Sequence, residues 1–363
     1  MLLHARWTTA ARLAVLLLLA PLGGCYYVHV TAGQLDLNAR RVPVEDVLAD
    51  PSTDAALRER LAYVAEVRRF ATSELGLPDN GSYASYVELD RAHVVWNVFA
   101  APEFDVAPKR WCFPVAGCVA YRGYFDEAKA RREARRLRGR GYDVHVSPVA
   151  AYSTLGHFAD PVLSSMLRYD EVALAALLFH ELAHQVAYAA GDSDFSEAFA
   201  TVVESEATRR WLHARGREGE LERYLDGRRR FYAVADVMLA TREALAGIYA
   251  SGVAPEAMRA AKARAIEQLR ADYAALRAGW PAGGASMDGL LEGEVNNARL
   301  GVISTYHRCV PGLAVRLQSL GGDLQAFYAL VRRLAAGPPE ARREACDAGG
   351  LVAAAAAQSG EGG

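Results

Sequence analysis

His180-Glu181-Leu182-Ala183-His184 is the stretch from which the rest of the chain is read. It lies in an apolar pattern of helical period, Leu174, Leu177, Leu178, Leu182 and Val186, with Asp170 placed to cap the start and Gly191 to end it. Residues four apart stand one above the other on a helix, so His180 and His184 project from one face. Two imidazoles so placed can ligate one zinc ion, and Glu181 beside the first reaches a water on the metal rather than the metal. The alternative, two histidines satisfied in a core, must also bury an unpaired carboxylate between them, which is costly.

A catalytic zinc needs a third protein ligand and one open position. Past the short turn Gly191–Asp194 comes Phe195-Ser196-Glu197-Ala198-Phe199-Ala200-Thr201-Val202-Val203-Glu204. Here the sequence resembles the gluzincin metallopeptidases, especially the aminopeptidase-N-like pattern whose second helix begins Asn-Glu-Gly-Phe-Ala. Ser196 stands for the Asn and Ala198 for the Gly. The resemblance implies Glu197 as the third ligand of a single zinc. The rivals are Asp192, Asp194, Glu204 and His157. Asp192 and Asp194 read more easily as turn and capping residues. Glu204, two turns beyond Glu197 on the same face, suits a carboxylate that orients a ligand histidine, or else a surface carboxylate.

The same resemblance implies chemistry. Zinc makes hydroxide available near neutral pH, and Glu181 serves as general base and then acid. A tyrosine or histidine from a downstream helix assists the oxyanion; Tyr306 and His307, following Asn296-Asn297, are the candidates, and each also reads as a packing residue. More widely, Trp111-Cys112-Phe113-Pro114-Val115-Ala116-Gly117-Cys118, Tyr121-Arg122-Gly123-Tyr124-Phe125 and Asn296-Asn297-Ala298 join these segments over most of residues 80–310. Together they are similar to a family of bacterial lipoproteins named as putative aminopeptidases. That implies peptide or protein substrates. Aminopeptidase action follows from the family's name alone, because no Gly-x-Met-Glu-Asn element for a free amine is found. Tyr121 and Arg122 are candidates for the substrate cleft or for a structural tie. Ala151–Pro161 is a candidate cleft wall, since zincin substrates often lie along an edge strand above the motif helix.

The N-terminus reads as a secretory leader, residues 1–24: His4, Arg6 and Arg12, then the apolar run Leu13–Ala20, too short to span a bilayer. Leu22-Gly23-Gly24-Cys25 resembles a bacterial lipobox, which implies lipidation of Cys25 and a membrane anchor. Tyr26 is not the aspartate that signals inner-membrane retention, so the expectation is the cell envelope, at the outer membrane facing the periplasm. Export makes disulfides plausible among Cys112, Cys118, Cys309 and Cys346. Of the three possible pairings, Cys112 with Cys118 and Cys309 with Cys346 ranks first; free thiols or a second metal site stay open, though no CxxC spacing supports a zinc ribbon.

With 363 residues, 52% hydrophobic and a formal net charge of −2, the chain has ordinary globular composition and no electrostatic reason to meet nucleic acid. Residues 25–51 read as a tether with little regular structure. An amphipathic helix is expected over 53–76, strands over 83–90, 94–100 and 142–149, and a charged helix over 126–139. From about 162 onward the pattern is helical, with a long hairpin over about 219–280 and a further stretch over 296–335. Arg223, Arg228, Arg229 and Arg230 read as a solvated face. Residues 346–363 read as a disordered tail. The expected fold is therefore α+β and mostly α-helical: a zincin-like domain over 52–345 with a small sheet at about 80–150. Two other functions stay open: a zinc amidohydrolase acting on a cell-wall component, and a non-enzymatic envelope interaction or assembly lipoprotein with a structural zinc. The intact Glu181 speaks against the last.

Overall fold

The computed structural model describes residues 24–113, 117–151, 154, 158–281 and 286–347. The leader up to residue 23, His157 and the tail from residue 348 lie outside the described residues. The chain is α+β and mostly helical, with small sheets.

The motif segment forms helix α5, Glu171–His184, and is almost wholly apolar: Leu174, Ala175, Leu178, Phe179, Leu182 and Ala183 are all buried. A helix apolar on nearly every side belongs at the centre of a domain, and each large side chain so buried stabilises the fold by roughly 1.5–3 kcal/mol. Asp170 Oδ1 accepts from the Ala173 amide at 2.8 Å and caps the start. The helix ends earlier than its apolar pattern suggests. Gln185 is the C-cap, and Gln185 and Val186 donate to Leu182 O and Ala183 O in a tightened last turn. Gly191, expected as the terminator, instead turns the chain at φ 81° just before α6, Ser193–Ala214. The reversal is pinned by Ser196, whose hydroxyl accepts from the Ala189 amide at 3.1 Å and donates to Asp192 O at 3.0 Å. Thus α6 packs back along α5.

Upstream, α1 (Gly24–Ala39), β1 (Val42–Pro43), α2 (Val44–Ala49) and α3 (Ala55–Ser73) replace the expected tether and confirm the amphipathic helix. Residues 25–51 thus carry two helices rather than irregular chain. Strand β2 (Ser85–Val87) lies between β1, antiparallel to it, and β8 (Val162–Leu163), parallel to it, in one small sheet. A second, antiparallel sheet has the order β6-β3-β7, with β3 at Val95–Pro102, β6 at Tyr121–Tyr124 and β7 at Tyr142–Val149. Its Trp96, Val98 and Tyr124 face pack on α4, Glu127–Arg138. Strand alternation turns Val95, Asn97, Tyr121 and Gly123 to the opposite face. That face borders the site.

The short ribbon β4–β5, Trp111–Phe113 and Gly117–Val119, is closed by the Cys112–Cys118 disulfide. It buttresses the turn before α6. A Cβ on Gly117, at φ 71°, would stand 2.7 Å from the Gly191 amide nitrogen, and Arg110 donates to both Cys118 O and Gly191 O. Downstream, α7 (Glu218–Ala250) and α8 (Pro255–Ala278) pack together as the long hairpin around Val234, Met238, Leu245 and Leu269. Then follow α9 (Asn297–His307), α10 (Val310–Ser319), α11 (Leu324–Ala336) and α12 (Pro339–Cys346). Cys309 is bonded to Cys346, pinning α12. Closing a loop of that length stabilises by about 4 kcal/mol in chain-entropy terms. No helix among the described residues is long and apolar enough to cross a membrane.

Candidate metal centre

Helices α5 and α6 carry His180, His184 and Glu197 to one point. His184 Nε2 lies 3.2 Å from His180 Nε2, and Glu197 Oε2 lies 3.3 Å from His180 Nε2 and 3.4 Å from His184 Nε2. Four donors held tetrahedrally at about 2.0–2.1 Å from a zinc stand about 3.3–3.4 Å from one another. The three atoms therefore already form one face of such a tetrahedron. Their chemistry fits as well: two imidazole nitrogens and one carboxylate oxygen can hold a metal ion, and the set is compatible with zinc. Among the described residues this is the one group of three such side chains that meet closely enough.

Electrostatics couple the three side chains. Burial works against charge on His180, but hydrogen bonds to Glu197 and Glu204 outweigh it and push its pKa up to about 10. Burial likewise opposes ionised Glu197, yet His184 and His180 hold it down at about 2. Glu181 is 8% exposed, and burial raises its carboxyl above the usual range, against the pull of the two histidines. A buried carboxyl of raised pKa beside His180 and His184 is poised to take up a proton.

Glu204 orients His180. The His180 Nδ1–H donates to Glu204 Oε2 at 3.1 Å, which turns Nε2 toward the centre, where a metal would displace its proton. The other Glu204 oxygen is held at 3.4 Å by both Arg228 and Tyr224 of α7. Removing such a partner costs about 10–100-fold in metal affinity or activity. Glu204→Ala is expected to weaken zinc binding by that factor, read by competition with a chelating dye. An unchanged dissociation constant would reduce Glu204 to packing.

The rival ligands serve elsewhere. Asp192 caps the Phe195 amide and pairs with Arg342 at 2.7 Å, while Asp194 bonds Thr305. Tyr306 and His307 part company. Tyr306 lines the cleft over the centre; burial drives its phenol pKa well up, with Glu197 and Glu181 adding to the rise, so it keeps its proton. His307 turns away, a correction to its candidacy. It is 4% exposed, stacks on Tyr232 at 4.9 Å and donates to Asp236 Oδ1 at 3.0 Å. Tyr121 and Arg122 divide the same way. Tyr121 lines the cleft and is likewise held protonated by burial and by Glu197. Arg122, on the other face of β6, lies 3.8 Å over the Tyr26 ring and 3.9 Å from Glu133. It is a structural tie, not a cleft residue.

Several contributors escaped the sequence reading. Tyr188, in the irregular turn after α5, lines the cleft without any periodic signal. Arg228 was grouped with the solvated arginines but faces Glu204, and Arg230 is 6% exposed, paired with Asp226 at 2.7 Å. The inner face of α1 also enters the cleft through Tyr26, Val30 and Gln34. Of the expected wall Ala151–Pro161, Ala151 lines the cleft. The cleft encloses about 1850 Å³, more than the roughly 300–1,000 Å³ of a drug-sized ligand site and ample for a peptide.

No curated protein and no solved structure matches the chain. The model of a family described as putative aminopeptidase matches residues 25–346, nearly the whole of the described chain. With a His-His-Glu centre lying at the base of a peptide-sized cleft within the matched span, the chain belongs to this putative aminopeptidase family.

Proposed function

We propose that this chain is a zinc-dependent peptidase of zincin-like, gluzincin type, held in a bacterial cell envelope by lipidated Cys25 and cleaving peptide bonds with Glu181 as general base. The observation that carries the reading is the near-equilateral triangle of His180, His184 and Glu197 donor atoms in a cleft that Glu181 also lines. Family membership supports peptidase activity, and the name favours removal of N-terminal residues.

Zinc held by these three ligands would acidify water and polarise the scissile carbonyl. The chain's own residues supply the rest. Glu181, raised by burial, takes the proton of the attacking water and returns it to the leaving amine nitrogen. Tyr306 donates its retained hydroxyl proton in a hydrogen bond to the carbonyl oxygen as charge develops there. Tyr306→Phe is expected to lower kcat by about 10²–10³-fold, as loss of one oxyanion donor does, with KM little changed. A fall in kcat/KM carried by KM alone would assign Tyr306 to substrate binding instead.

The reading as a whole is tested by metal analysis and peptide digestion. Purified protein should contain one zinc per chain, lose peptide cleavage on chelation and regain it with zinc. Matched peptides free or blocked at the N-terminus then separate exopeptidase from endopeptidase action. Absence of zinc together with chelator-resistant cleavage would overturn the metal mechanism.

A further inference from the structure

The metal centre occupies only part of the cleft, which runs on in two directions of unlike chemistry. Toward α7 it is lined by charges, several of them paired, such as Arg217 with Glu171 at 2.8 Å and Arg229 with Asp226 at 3.4 Å. Toward the sheet it is neutral among the described residues.

The floor of this second arm is the face of the sheet that also presents Tyr121. Gly123, two residues on, faces the same way, about 6.6–6.8 Å along the strand. That is also the repeat at which an extended peptide places side chains on one side. Gly123 lets the Asn97 and Val95 side chains lie close over the strand: a Cβ there would stand 3.1 Å from Asn97 Oδ1 and 3.2 Å from Val95 Cγ1. Val95 is paired with Val149 on the neighbouring strand, and the two give the floor an apolar border. The opposite wall is α1, whose Tyr26, Val30 and Gln34, spaced by four, share one helix face. The helix is fastened to the floor. The Tyr26 hydroxyl donates to Gly123 O at 3.1 Å, the Phe125 amide donates to His29 Nε2 at 3.1 Å, and Gly33 admits the Phe125 ring against the helix backbone.

We propose that this arm, bounded by α1 and floored by Gly123, Val95 and Val149, is the subsite that selects the substrate side chain beside the scissile bond, and that it takes an uncharged apolar one. The proposal rests on the peptidase reading above. An ionised side chain entering here would leave water without a counter-charge, whereas each methylene added to an apolar side chain gains contact.

The test uses the zinc-loaded protein and peptides identical except for Leu, Phe, Asp or Lys flanking the cleaved bond. Leu and Phe are expected to exceed Asp and Lys in kcat/KM by about tenfold or more. Val30→Glu should shift the Lys-to-Leu ratio toward Lys by about tenfold, at unchanged metal content. Val30→Thr, matched in shape, should lower the Leu preference in the same direction by a smaller factor and guards against misfolding of the first variant. Cleavage without apolar preference, or a ratio indifferent to both substitutions, overturns the subsite while leaving the peptidase reading intact. Failure of the wild-type protein to cleave any of the peptides overturns both.

Discussion

Replacing Glu181 with Gln is expected to leave zinc content unchanged and to lower kcat for peptide cleavage by at least about 10²–10⁴-fold, the range of general acid–base catalysis. The amide keeps the size of the carboxyl, so a site 8% exposed is not reshaped. What it loses is the ability to accept a proton and pass it on. The metal should stay, because the triangle of donor atoms does not include Glu181. Folding should not suffer either: burial already disfavours the ionised form of Glu181, and a neutral amide removes that cost. Metal analysis, a melting curve and single-turnover hydrolysis on one preparation separate these effects. Wild-type kcat in a zinc-replete Glu181→Gln protein would remove Glu181 from the mechanism and return the site to a structural role.

Much of this site was legible because helices and strands have fixed periods. The four-residue spacing of His180 and His184 fixes their common face, and Asp170 marks the start of α5 by chemistry alone. The same periods, used without tertiary phase, left neighbours undistinguished. Tyr306 and His307 differ by about 100° around α9, and only the packing of His307 on Tyr232 and Asp236 shows which one meets the cleft. Tyr121 and Arg122 differ by one strand position, hence by a whole face of the sheet. The end of α5 was misplaced for a related reason. Apolar residues continue through Val186, Ala187 and Ala189, but they are buried in the reversal that brings Glu197 back to the histidines. Helix α1 left no signal at all. Tyr26, Tyr27, Val28, Val30 and Thr31 are aromatic or β-branched and Gly33 is a weak helix former, so the segment lacks both propensity and period. Its contacts with Gly123, Phe125 and Arg122 supply what local sequence does not.

Glu197→Ala is the second decisive substitution, and its expected effect is on metal affinity. Structural zinc sites with four protein ligands bind with about 10–16 kcal/mol, so one ligand is worth about 2.5–4 kcal/mol, or about 100–1000-fold in dissociation constant. The loss should exceed that of Glu204→Ala, because Glu204 touches only the far nitrogen of His180 while Glu197 Oε2 faces both histidines. Asp192→Asn supplies the control: its carboxylate is spent on the Phe195 amide and Arg342, so zinc affinity should stay within about twofold, the effect expected for a residue outside the metal's ligand shell. Competition titrations of the three variants rank the carboxylates directly. The order Glu197, Glu204, Asp192 follows from the geometry. If Asp192→Asn instead cost more than Glu197→Ala, the third ligand would have to come from the turn before α6. That turn would then need to give up its cap and its bond to Arg342, and α6 would lose the anchor that points Glu197 at the histidines.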